Sequence, residues 1–280
     1  MNPGTLYVVA TPVGNLEDIT FRAVRILKEV DLIAAEDTRH TRKLLQHFGI
    51  AKQLTSYFDH NKNLKGEYIL GKLAAGQAVA LVSDAGTPCI SDPGYQLVRD
   101  AAAAGVPIVP IAGPCAAIAA LSASGLPSDA FVFEGFLPSR RKKRLDKLAS
   151  LKNEERLLIL YESPKRLQDL LGDMLEVFGE RQIVVARELS KVYEEFVRGS
   201  IAEVIASFAG REVRGELVVL VAAASSVAGC EGDSVEALLE RYLFAEKLSV
   251  KDAVKRVSLQ LDLPRSDIYD QALRLKHDAE

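Results

Sequence analysis

The sequence has no tryptophan, two methionines, three cysteines and four histidines. The cysteines, Cys89, Cys115 and Cys230, are odd in number and widely separated. Neither a disulfide framework nor a zinc site follows from that spacing, and reduced thiols in a cytoplasmic protein are the expectation. His40, His47 and His60 form no metal-ligand spacing, so no metal is expected. No apolar run approaches the length needed to cross a bilayer, and the opening MNPGTLYVVATPVG lacks the basic start and long apolar core of a secretory signal. No membrane partner is therefore expected. Charge of one sign is also lacking: 35 Lys and Arg stand against 38 Asp and Glu, a net of −3. That excludes a coat protein that holds nucleic acid by bulk attraction and leaves only local basic patches. Neither G-x-G-x-x-G nor a Walker A sequence occurs, which makes NAD and ATP poor candidates.

What the chain does have is apolar substance, with 48% hydrophobic and 26% charged residues. Its first part alternates strand-like runs (6–13, 31–37, 53–59, 78–85 and 107–113) with helical patterns, which argues for a largely parallel sheet covered by helices. A second series of strands is read at 131–137, 156–163, 182–190, 193–199 and 215–224, separated by helices at 140–151, 164–178 and 200–209. Residues 182–190 and 193–199 leave no room for a helix between them and predict an antiparallel hairpin in a mixed sheet. The expected division is an α/β lobe over 1–114, a second α/β lobe over 115–225 with a hinge at 114–130, and a helical module over 233–280. SSVAGCEGD (225–233) is the expected linker. The module reads as three short amphipathic helices, the last capped by Ser266, compatible with a helix-turn-helix-like unit or with an ordinary helical appendage.

The densest motif is Ser83-Asp84-Ala85-Gly86-Thr87-Pro88-Cys89-Ile90-Ser91-Asp92-Pro93-Gly94, between an apolar strand and a helix. A plain turn needs fewer special residues, and Asp84 and Asp92 can accept hydrogen bonds from a ligand's hydroxyl or ammonium groups. Ligands of open α/β sheets bind beyond the carboxyl ends of strands, where this loop lies. Thr11 to Leu16 follows the first strand and can approach a ligand closely. Behind the second strand, Glu36-Asp37-Thr38-Arg39-His40-Thr41-Arg42-Lys43 combines a helix start, capped by Asp37 or Thr38, with cations suited to phosphate. Ala112 to Ala117 begins a small-residue helix at Cys115, better suited to close packing against a ligand than to a nucleophilic thiol. Tyr161 to Arg166 and Arg187 to Lys191 end strands of the second series. Arg140, Arg141, Lys142, Lys143 and Arg144 form the one basic run.

The segments LYVVATPVGNLEDIT, AAEDTRHTRKLL, SDAGTPCISDPG, IAGPCAAIAALSASGLP, FEGFLP, YESPKRL and ARELSKVYEEFVRG, in this order, resemble the ribosomal RNA small subunit methyltransferase I family of the tetrapyrrole methylase superfamily. The resemblance covers nearly the whole chain, and SDAGTP with SDPG is its most specific part. It implies an α/β, two-lobed tetrapyrrole-methylase (class III methyltransferase) fold with a small C-terminal helical module. S-adenosyl-L-methionine would lie in the cleft between the lobes, and the reaction would be methylation of the ribose 2′-hydroxyl of cytidine 1402 in 16S rRNA, on the small ribosomal subunit, by a homodimer. Carried over by motif position, Pro12, Asp84, Ala85, Gly86, Thr87, Gly113, Pro114, Cys115, Ala116 and Tyr161 are the implied cofactor residues, with 215–217 closing the pocket. The resemblance supplies no base. Charged residues at strand ends make Glu36, Glu188 and Lys191 the candidates. Arg39, Arg42, Lys43, Arg187 and the run from Arg140 to Arg144 are the candidates for RNA. A related methylase of a small tetrapyrrole or of a protein, and a non-catalytic RNA-binding or assembly protein, are the alternatives.

Overall fold

The computed structural model describes residues 4–58, 62–224, 234–261 and 263–278. The linker 225–233, with Cys230, lies outside them, as do Asp59 and His60.

The first sheet holds β1 (Leu6–Val9), β2 (Leu32–Ala35), β3 (Gln53–Ser56), β4 (Val79–Val82) and β5 (Ile108–Ile111) in the order β3-β2-β4-β1-β5. All its pairings are parallel. Parallel strands need crossovers, supplied here by α1 (Phe21–Glu29), α2 (Thr38–His47), α3 (Lys62–Ala74) and α4 (Tyr95–Ala103). Alternate residues of a strand face opposite sides, so one strand feeds two cores. Ile33 and Ala35 of β2 join Ala23, Ile26 and Leu27 of α1 on one face. Leu32 and Ala34 join Ile69 and Leu73 of α3 and Leu97 of α4 on the other. That is why LIAA and VALV are apolar throughout.

The second sheet holds β6 (Phe131–Phe136), β7 (Leu157–Glu162), β8 (Gln182–Arg187), β9 (Glu195–Ser200) and β10 (Leu217–Val221), ordered β6-β7-β10-β8-β9. It is mixed: β6 and β7 are parallel and the other pairs antiparallel, including the expected hairpin β8–β9. One face packs on α6 (Arg141–Leu151), α7 (Leu167–Phe178) and α8 (Ile201–Phe208) through Leu148, Leu170, Met174, Val204 and Phe208. Helix α8 starts in a capping box, with Ser200 and Glu203 each bonding the other's backbone N–H. The other face is covered by α5 (Ala116–Ser124) through Ala117, Ala120 and Leu121. Most of the segment expected to act as a hinge, 114–130, is thus packed helix, because its small residues let α5 lie close on the strands. Observed strands are shorter than predicted.

Residues 1–223 form one compact unit and 224–280 a second. In the second, α9 (Val235–Glu240) continues as a π-helical turn, Arg241–Ala245, and is followed by α10 (Val250–Leu261) and α11 (Arg265–Asp278). Leu238, Leu239, Val254, Val257, Ile268 and Ala272 form their common core. Helix α11 begins one residue earlier than predicted. Ser266 therefore lies in the first turn, donating to Asp267 Oδ1 (2.8 Å), and does not cap the helix. Among the described residues no helix is long and apolar enough to cross a membrane.

Candidate functional site

Loops after β1, β2, β4 and β5 meet the ends of β7 and β10 around a cavity of about 310 Å³. That is within the roughly 300–1,000 Å³ range of small-molecule sites. The loop after β4 supplies its floor, with Asp84, Ala85, Gly86, Thr87, Ile90, Ser91 and Asp92. Two backbone bonds hold this loop to the one after β1: Thr11 N–H donates to Gly86 O (2.8 Å) and Gly86 N–H to Thr11 O (3.0 Å). Gly86 bends there at φ +78°. Thr87 Oγ1 donates to Pro114 O at 3.0 Å, tying in the loop after β5. Pro12, Gly113 and Pro114 belong to this clamp, next to the lining but not in it, whereas Val13 reaches the cavity. Farther along the loop, Cys89 and Ser91 take left-handed φ values of 71° and 62°. Such values cost non-glycine residues free energy and persist where surrounding structure enforces them.

Cys115 and Ala116 face the cavity from the start of α5. Ala117 N–H donates to the Tyr161 hydroxyl at 3.1 Å, which joins the helix start to β7. Burial pushes the Tyr161 phenol up, so it stays protonated. Its ring meets Phe133 and Phe136 edge-on, with centroids 5.1 and 5.7 Å away.

The acids are concentrated. Glu36 reaches the cavity from the end of β2, and its Oε2 accepts from Asp84 N–H at 3.4 Å. Asp84 Oδ1 in turn accepts from Asp37 N–H at 3.0 Å. Asp37 caps α2 through Arg39 N–H and pairs with the Arg39 guanidinium at 2.7 Å. Burial, then the neighbouring charge of Glu36, pushes the Asp92 carboxyl up to about 6; a Ser83 hydrogen bond opposes this, while Asp84 and Glu216 add to it. Glu162 also borders the cavity, but it pairs with Arg166 at 3.2 Å and accepts from Ser163 N–H at 2.7 Å. No lysine, arginine or histidine is among the residues lining the cavity.

Glu188 and Lys191 are beside the cavity, outside its lining, and bind each other: Lys191 Nζ donates to Glu188 Oε1 at 2.8 Å. The ammonium holds the Glu188 carboxyl below its usual range. Glu216 N–H donates to the same oxygen at 3.4 Å. At neighbouring Gly215, φ +89°, a Cβ would strike the Glu188 carboxylate.

The candidate RNA cations separate into free and engaged groups. Arg42, Lys43, Arg140, Lys142 and Lys143 are exposed, and the Arg39 side chain is 86% exposed despite its pairing. Arg141 binds Asp173 at 2.9 Å and Glu176 at 2.6 Å. Arg187 is bound to Glu195 at 3.0 Å. Arg144 is a correction: it is buried, with its guanidinium 2.7 Å from the equally buried Asp173, and cannot contact RNA. It lies on the inward side of α6, which a run of five basic residues does not reveal. Glu216, within the 215–217 strip that the resemblance implies closes the pocket, and Ser163, within the strand-end segment Tyr161 to Arg166, both line the cavity, as does Asp92. The Asp-Pro-Gly context was the signal for Asp92, and the family resemblance was the signal for Glu216.

The cavity can hold a small, partly apolar ligand carrying positive charge. The fold and this site define a methylase of the tetrapyrrole class: the family model described as Tetrapyrrole (Corrin/Porphyrin) Methylases matches residues 5–205. Solved structures agree at the level of fold. Diphthine synthase superposes with a TM-score of 0.62 at 14% identity, covering 78% of this chain and 90% of that one. Uroporphyrin-III C-methyltransferase from Thermus thermophilus, complexed with S-adenyl homocysteine, gives 0.56 at 19% identity, covering 80% and 100%. Within that class the chain belongs to the ribosomal RNA small subunit methyltransferase I family. Proteins of that name from Pseudomonas aeruginosa and Halalkalibacterium halodurans are 49% and 47% identical to it. The first match covers 98% of each chain, the second 95% of this chain and 94% of the relative.

Proposed function

We propose that this protein transfers a methyl group from S-adenosyl-L-methionine to the ribose 2′-hydroxyl of cytidine 1402 in 16S rRNA, acting on the small ribosomal subunit. The observation that carries the cofactor part is the cavity itself, with acids and apolar walls and no cation in its lining. That donor set fits a ligand with an adenosine body and a positive sulfur. Family membership carries the RNA part. Lobes over 1–114 and 115–225, a helical extension over 233–280, a homodimer and a cytoplasmic location belong to the same reading.

The bound cofactor supplies an electrophilic methyl group on a sulfonium. The chain's residues do the rest. Val13, Ala116, Leu217 and Val218 give apolar walls, and the backbone from Asp84 to Thr87 gives polar contacts. Holding a 2′-oxygen in line with the methyl accounts for much of the acceleration. Of the three candidate bases, Glu36 alone lines the cavity and is the one proposed to take the hydroxyl proton. Glu188 and Lys191 neutralise each other, and the proposed role for this pair is to hold the 215–217 strip against the cavity. Arg39, Arg42 and Lys43, on α2 immediately after Glu36, are placed to contact RNA phosphate.

The test is transfer of labelled methyl from S-adenosylmethionine to purified small subunits lacking the modification, beside free 16S rRNA, with the product mapped by nucleotide. Label on one ribose is the expected result. No label on either substrate sinks the RNA reading.

A further inference from the structure

Strand β6 carries one more residue than its partner β7 can match. Phe131, Val132 and Phe133 oppose Leu157, Leu158 and Ile159, but Leu160 and Tyr161 oppose Gly135 and Phe136, so Glu134 is the extra residue of a β-bulge. Side chains alternate between the faces of a sheet, and a shift of one residue exchanges the faces for everything after it. Without the bulge, Phe136 would follow Val132 to the face packed on α6 and α7. With it, Phe136 shares the face of Phe133 and Tyr161 and reaches the cavity lining. Building on the RNA reading above, we propose that Phe136 is a stacking platform for the nucleobase of the methylated nucleotide.

The bulge is anchored on every side. Gly135 adopts φ +63°, and a Cβ there would fall 2.5 Å from the Oγ of Ser91, whose own φ is 62°. Glu134 pairs with Lys147 of α6 at 2.7 Å, and Arg166 Nη2 donates to Leu137 O at 2.8 Å. Gly135 and Leu137 are buried, so the backbone is fixed before and after Phe136. Phe136 between them is 57% exposed. A single exposed phenylalanine is ordinary on a protein surface. One that a bulge turns toward a cavity, between two anchored neighbours, is held there for contact with something else.

Exposure and charge say what that is. Of the large apolar side chains lining the cavity, Phe136 and Ile90 are the exposed ones, which marks their side as its mouth. The Phe136 ring meets Tyr161 edge-on at 5.7 Å, and more than half of the residue faces solvent. A small ligand inside the cavity covers only the inward part of it, so the rest is open to a reactant arriving from outside. No cation lines the cavity to hold a phosphate there. An unpaired base needs none, because its π-face stacks on an aromatic ring whatever the base. Cations begin four residues further on, with Arg140, Lys142 and Lys143 exposed at the start of α6. Four residues of chain span at most about 14 Å, so phosphates flanking the base can meet these cations while it lies on Phe136. An aromatic ring with cations nearby fits RNA better than it fits the adenine of S-adenosylmethionine, which carries no phosphate.

The experiment measures methyl transfer by the full chain to purified small subunits lacking the modification, with kcat and KM for the subunit separated, beside S-adenosylmethionine affinity by titration calorimetry. Phe136→Ala should lower kcat/KM for the subunit about tenfold or more and leave the cofactor Kd within about twofold. Phe136→Tyr and Phe136→Trp should restore it, whereas Phe136→Leu, apolar but without a π-face, should not. Substitution of an exposed side chain is mild for the fold, which thermal unfolding checks. A second measurement needs no variant: irradiation of the unaltered protein on subunits whose 16S rRNA carries 5-iodocytidine at the methylated position should crosslink that base to Phe136. A crosslink to another residue overturns the proposal, as does full activity in Phe136→Leu. Loss of cofactor affinity in Phe136→Ala also overturns it and assigns the ring to the cofactor. If the unaltered protein labels no subunit, the RNA reading fails with it; if it labels subunits and Phe136→Ala labels them equally well, only the platform fails.

Discussion

Around the second sheet, charge is compensated: Arg144 with Asp173, Arg166 with Glu162, Arg187 with Glu195, Lys191 with Glu188. At the ends of the first sheet's strands, Glu36, Asp84 and Asp92 line one cavity, where burial first and neighbouring carboxylates second raise the Asp92 carboxyl to about 6. Both regions carry many ionisable side chains, and the difference lies in what each arrangement costs the empty protein. Paired charges on a helix-covered sheet fix geometry. Like charges around a cavity cost stability and are relieved by a ligand of opposite sign.

The largest expected effect breaks the compensated side. Arg144→Ala leaves the buried Asp173 carboxylate with one exposed partner, Arg141, and should destabilise the protein by about 3–5 kcal/mol. The denaturant midpoint should shift at constant m-value. A loss below about 1 kcal/mol would mean that the pair is ornamental.

A substitution at the border between the regions comes next. Gly215→Ala combines φ +89° with a collision against Glu188, and should cost about 1–3 kcal/mol of stability while weakening S-adenosylmethionine binding. Thermal unfolding with and without ligand separates the two effects.

The third prediction sharpens the contrast by reversing its sign. The Asp92 carboxyl is raised in the folded state to about 6 from 3.8, so its favourable contribution is complete below about pH 4 and is lost as pH rises through 6. Asp92→Asn should therefore make the ligand-free protein more stable at neutral pH, by about 1–2 kcal/mol once its partial exposure is allowed for. The gain should vanish near pH 4. Equal melting temperatures for the two proteins at neutral pH would contradict this.

The smallest effect on stability belongs to exposed cations. Lys142→Ala and Lys143→Ala should change stability by less than about 0.5 kcal/mol. If they contact RNA, each should also lower the salt dependence of subunit binding by about one unit of slope. An unchanged slope removes α6 from the RNA surface.

Much of this architecture was legible in the chain. VALV and LIAA are apolar at every position because both faces of a parallel strand are covered. The short gap between 190 and 193 forced a hairpin, and SDAGTP with SDPG marked the cavity's floor. Less legible was the direction of individual side chains. A basic run looks alike whether it is solvated or, as at Arg144, one member turns inward to a buried acid 29 residues away. The Ser266 cap failed because α11 begins at Arg265, and helix ends depend on tertiary context as well as on the cap residue.

By itself, the sequence determined the two sheets, the helices between them and the family, since these follow from local periodicity and from motifs contiguous in the chain. Only the tertiary structure decided which charges cancel. Glu188 met Lys191, Arg144 met Asp173, and Glu36, Asp84 and Asp92 were brought to the lining of one cavity. Coulombic and desolvation energies depend on distance and burial in space, and a linear order of residues carries neither.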